Sequence, residues 1–160
     1  MWKYAVIFNL FSITSNDEEE ENIFWSFKWE INEVFSADAE ILGFELSPNK
    51  EQIAILAEPG RLSISDIDSS GQISNTKILH DGWAAPDDLS WSPDSKWIAF
   101  SQSDLDFNSE IFIQKADGSN DPVNVSMHPR GDYSPVWSRD GSKLGFLSIR
   151  NNGDADVWFA

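Results

Sequence analysis

The chain has 160 residues, 27 acidic and 11 basic, and a formal charge of −16. That field repels phosphate backbones and anionic lipid surfaces, so nucleic acid is not an expected partner, whereas cationic peptides or metal ions are attracted. With 41% hydrophobic residues, 8 Trp and 11 Phe, the composition is that of a folded globular chain, and the absence of cysteine excludes disulfides and thiolate metal sites.

From the N-terminus, Lys3 and the apolar stretch 5–13 have the outline of a signal peptide. Asn9 interrupts that stretch, and no small-x-small cleavage site precedes the acidic run 17–21. Trp2, Tyr4, Val6, Phe8 and Leu10 alternate as strand residues do, so a strand is expected, with an export leader as the alternative. Ile23, Trp25, Phe27, Trp29 and Ile31 alternate with Ser26, Lys28, Glu30 and Asn32, which predicts a second, half-buried strand and makes the acidic run a loop. No apolar run approaches the roughly 20 residues of a membrane span.

Farther along, the chain repeats itself. FELSPNKEQIAILA from Phe44, LSWSPDSKWIAFSQ from Leu89 and PVWSRDGSKLGFLS from Pro135 align. Their turn serines, Ser47, Ser92 and Ser138, are 45 and 46 positions apart. Each copy is an apolar strand, a four-residue turn and a second apolar strand. Ser47-Pro48, Ser92-Pro93-Asp94 and Ser138 with Asp140 and Gly141 carry the turn chemistry. The serine hydroxyl accepts a backbone N–H, proline presets φ and a polar residue follows, as in a type I turn. Third strands are expected over 61–67, 110–115 and 156–159, the last after an Asn152-Gly153 hairpin. Fourth strands are expected over 75–79 and 123–126. Four short strands per such period make a β-propeller blade. The predicted fold is all-β, with about three blades of four antiparallel strands forming an incomplete or open propeller, a fragment of a larger one. Residues 1–40 supply outer strands of a preceding blade with the acidic loop, 41–82 and 83–128 are blades, and 129–160 is a partial blade.

SWSPDSKWIAF at Ser90 and VWSRDGSKLGF at Val136 resemble the TolB-like propeller repeat. The run MHPRGDYSPVWSRDGSKLGFLSIRNNGDADVW from Met127 is most similar to the N-terminal propeller of tricorn-type serine peptidases. Asn49 in place of Asp, Lys50 and Ser95 in place of Gly, and Arg139 in place of Pro depart from the pattern. The resemblance implies that the catalytic serine lies in a C-terminal domain, beyond the remaining blades of a parent chain. The propeller then scaffolds, and guides a polypeptide substrate or holds a protein partner. A stand-alone TolB-like binding protein of the cell envelope is the alternative. The resemblance leans toward a periplasmic or exported setting over a cytoplasmic one.

No catalytic, cofactor-binding or metal residue is expected in this chain. Asp104, Asp106 and Asn108 open like an EF-hand loop, but Ser109 stands at the glycine position and Lys115 at the bidentate glutamate position. Asp154 and Asp156 read as hairpin-end solvation. His80 and His128 are expected in the loops entering successive blades, eleven and nine residues before Trp91 and Trp137 and at roughly equivalent places in the repeat, and have no metal-ligand spacing. Arg130-Gly131-Asp132 spells an adhesion tripeptide but reads as a turn. Trp91, Trp97 and Trp137 are expected to pack between blades.

Overall fold

A computed structural model describes residues 39–160. The strands and acidic loop expected within residues 1–38 lie outside the described residues. Eleven strands follow in chain order. β1 (Ile41–Leu46), β2 (Gln52–Ala57), β3 (Arg61–Ile67) and β4 (Ile73–Asp81) form the first sheet. β5 (Asp87–Trp91), β6 (Trp97–Ser103), β7 (Ser109–Lys115) and β8 (Val123–Asn124) form the second, and β9 (Asp132–Trp137), β10 (Leu144–Asn151) and β11 (Asp154–Phe159) the third. Each sheet is an antiparallel meander with neighbours in chain order. The expected all-β class, with four-stranded antiparallel units, is the observed one.

The three turns are near copies in geometry. Ser47, Ser92 and Ser138 each accept, through Oγ, the backbone N–H five residues on, from Gln52, Trp97 and Lys143, at 2.9 Å. Each hydroxyl in turn donates to the side chain two residues on, Asn49, Asp94 or Asp140, at 2.6, 2.6 and 2.7 Å. A backbone bond closes each turn, with Lys50, Ser95 and Gly141 donating to the serine carbonyls at 2.8, 2.9 and 2.9 Å. Those three residues take φ of 63°, 59° and 71°. This left-handed position is free of strain for Gly141 alone, which explains why the repeat favours glycine there.

Period-two alternation then divides the side chains between two cores. Ile98 and Phe100 of β6 point toward the first sheet and pack with Ala54, Leu56, Leu62 and Ile64, joined by Trp91. Ala99 of the same strand, with Ile111 of β7, packs on Leu144 and Phe146 of β10. Phe100 is fully buried and stacks on Phe112 at 5.9 Å. Burying one such side chain contributes about 1.5–3 kcal/mol, and with the cavity it leaves Phe100→Ala should cost about 3–5 kcal/mol.

Three strand expectations shift. The fourth strand expected over 75–79 runs from Ile73 to Asp81. The fourth strand expected over 123–126 ends at Asn124, because Ser126 turns inward: its Oγ donates to Glu110 at 2.5 Å and accepts the Ile111 N–H at 3.0 Å. A side chain there replaces the ladder. β11 starts at Asp154, two residues before the expected start, because Asn152 (φ 52°) and Gly153 (φ 87°) close a two-residue hairpin that pairs Asn151 with Asp154.

Candidate functional site

The meander places alternate connections at opposite ends of the stack. Ser47-Pro48, Ser92-Pro93-Asp94 and Ser138, Asp140, Gly141 therefore gather at one end. There the turns touch: the Asn49 N–H donates to Ser95 Oγ at 3.1 Å, and Pro93 lies 3.6 Å from where a side chain on Gly141 would begin. Asp140 is held down at about 2, chiefly by the Ser138 hydroxyl and then by Ser142. Asp94 is lowered in the same way by Ser92. These carboxylates serve the turns.

Further bonds join neighbouring sheets. Trp91 Nε1 donates to the Glu45 carbonyl at 3.2 Å, and the Asp88 carboxylate accepts the Ser134 N–H of the third sheet at 2.9 Å while Ser101 Oγ of its own sheet donates to it at 3.2 Å. Burial raises the pKa of Glu45. Among the described residues Trp137 Nε1 is buried with no hydrogen-bond partner, and its ring packs against the second core. Trp97 departs from the expected inter-sheet packing. It borders a cavity of about 330 Å³ with Gln52, Lys96, Lys115 and Asp117, and Lys115 Nζ sits 5.7 Å from its ring.

The motifs weighed from sequence resolve into structural roles. Asp104 Oδ1 accepts the N–H groups of Asp106 and Asn108, both at 2.9 Å, and so braces the β6–β7 loop. Asp132 of the adhesion-like tripeptide is fully buried, and the Arg150 guanidinium binds its two carboxylate oxygens at 3.2 and 3.1 Å. That guanidinium also lies 4.5 Å over Trp158. A tripeptide whose Asp is buried in an ion pair cannot be presented to a partner. Asp154 and Asp156 are exposed on β11, and Asp156 accepts from Asn151 at 3.2 Å.

His80 and His128 are not equivalent: His80 lies in β4, paired with Leu62, whereas His128 follows β8 in a loop. Gln102 Nε2 lies 2.9 Å from His80 Nε2 and donates to the Ala84 carbonyl at 2.7 Å. His128 Nδ1 accepts the Arg130 N–H at 3.3 Å. Among the described residues neither histidine meets a serine, and no group of three or more His, Cys, Asp or Glu side chains gathers to hold a metal ion.

The opposite end of the stack carries residues that the sequence reading passed over. Trp83 in the β4–β5 loop, Leu105 and Phe107 in the β6–β7 loop and Met127 after β8 are all exposed there. Trp83 and Phe107 meet edge to face at 5.9 Å. Large apolar residues inside polar loops were the available sign.

No family model matches the chain. Tricorn protease homolog 1 of Streptomyces coelicolor is 28% identical over 119 residues, which is 69% of this chain and 10% of that protein. Among solved structures, TolB from Acinetobacter baumannii superposes with a TM-score of 0.63 at 21% identity, over 81% of this chain and 32% of that one. The described residues have the fold of β-propeller blades, as TolB does. The tricorn protease shares the blade arrangement, with a TM-score of 0.58 at 15% identity over 81% of this chain and 14% of that chain. This chain thus spans about a tenth of the curated relative it matches. Among the described residues no helix is long and apolar enough to cross a membrane.

Proposed function

We propose that this chain is a propeller segment that works without chemistry of its own, as a rigid scaffold and protein-interaction module of a larger tricorn-like serine peptidase. Within it the blades guide polypeptide toward a catalytic domain elsewhere in the parent chain. The observation that carries this reading is the 28% identity to Tricorn protease homolog 1, of which the chain spans 10%. The physical character of the blades supports it. Asp94 serves a turn, Asp88 an inter-blade bond and Asp132 a buried ion pair, and the two histidines meet backbone and amide partners. What remains is surface held in fixed register, which suits binding and positioning.

The second reading, a stand-alone TolB-like binding propeller of the envelope, is favoured by the TM-score of 0.63 to TolB. Reading the gene beyond codon 160 separates the two. A downstream serine peptidase domain supports the first, and a stop codon after a few further blades supports the second. The purified 160-residue chain is expected to cleave no peptide substrate; turnover that survives rigorous repurification would sink both.

A further inference from the structure

Three loops at the end opposite the Ser-Pro turns present large apolar side chains to solvent. Leu105 is 84% exposed, Phe107 80%, Met127 76% and Trp83 61%. Solitary exposed apolar residues are ordinary, but four on one end of a chain of this charge form a feature that solubility alone disfavours. None of the loops that carry them is slack. Asp104 ties the Leu105 and Phe107 loop through two backbone bonds, the Ala84 carbonyl beside Trp83 accepts from Gln102 at 2.7 Å, and Asn124 Oδ1 accepts the Met127 N–H at 3.0 Å. Phe107 and Met127 are held at φ of 62° and 43°, a region bulky side chains seldom occupy. The loops thus hold their apolar groups outward in conformations that carry strain, the character of a surface organised before its ligand arrives.

The rim of this end is acidic. Glu58, Asp87 and Asp106 are exposed there. The facing cations are Arg130, Arg61, which pairs with Asp81 at 3.0 Å, and Arg150, which Asp132 holds. An apolar patch inside an acidic rim, on a chain of net charge −16, complements one kind of partner. We propose that Trp83, Leu105, Phe107 and Met127 form a docking surface for a polypeptide segment whose apolar side chains alternate with lysine or arginine. This rests on the protein-interaction reading above and adds the partner's chemistry and its place on the fold. Aromatic rings supply contact area with few torsions to fix, and methionine adapts to varied side chains.

The test uses the full chain and a fluorescein-labelled peptide in which Leu and Phe alternate with Lys, followed by fluorescence anisotropy. The peptide is expected to bind, and peptides with Glu in place of Lys, or with Ser in place of Leu and Phe, to bind at least about tenfold more weakly. The double variant Leu105→Ser with Phe107→Gly is expected to lose about tenfold or more in affinity. Phe107→Gly relieves the backbone, so its Tm should equal or exceed that of the parent chain, which separates lost binding from lost folding. Equal affinity of the double variant for the Lys peptide would show that this surface is not the site, while leaving the chain a polypeptide binder. Equal binding of the Ser-substituted peptide, or none of the Lys peptide, would overturn the assigned partner chemistry.

Discussion

Ser95 Oγ accepts the backbone N–H of Asn49, 46 positions earlier, at 3.1 Å, and so ties the turn of one blade to the turn of the next. Ser95 occupies the left-handed position where the repeat prefers glycine, at φ 59°. A departure that looks harmful within one turn is therefore useful between two.

Ser95→Gly removes both the strain and the bond, two terms of about 1 kcal/mol each and opposite in sign, so unfolding free energy should change by less than about 0.5 kcal/mol. Ser95→Ala keeps the strain and leaves the Asn49 N–H without its partner, and should destabilise by about 1–2 kcal/mol. Urea denaturation of the two variants checks the ranking.

Trp91 combines burial in the first core with its bond to the Glu45 carbonyl. Trp91→Phe retains most of the packing and should cost about 1–2 kcal/mol, while Trp91→Ala should cost about 3–5 kcal/mol. A loss for the phenylalanine variant as large as for alanine would show that the bond, not the ring, dominates.

The Asp132–Arg150 pair is buried on the acidic side and mostly buried on the other. Arg150→Met strands a fully desolvated carboxylate and should lower stability by about 3–5 kcal/mol, whereas replacing both partners with apolar residues should recover a large part of that loss. A double-mutant cycle measures the coupling directly.

Acid should weaken the turns before it dissolves the cores. The Asp140 carboxyl lies at about 2 in the folded chain, below its ordinary 3.8, with Ser138 as the main cause. A depressed folded value means that the stabilisation is fully present above the unfolded value and fades as pH falls from about 4 toward 2. Carboxyl carbon titration by NMR should show Ser138→Ala moving Asp140 upward toward the ordinary range.

The blades were legible because their cues are local and recur. Ser-Pro-Asp turns, period-two alternation and the Asn152-Gly153 hairpin each depend on a few neighbouring residues, so one sequence displays them. Trp97 and His80 were misplaced because their surroundings depend on what folds beside them. Trp97 starts its strand as Trp91 ends one, yet one rims a cavity and the other fills a core. The exposed loop residues were passed over for the opposite reason: they obey no alternation, and only coordinates show that separate loops share an end.

β6 lends Ile98 and Phe100 to one core and Ala99 to the next, so it acts as a party wall between two rooms. Neither room can be emptied without disturbing the other, and melting should therefore proceed inward along the stack. Deuterium uptake should be earliest in β11, whose Val157 and Phe159 stand open, and latest in β6, where both sides are occupied.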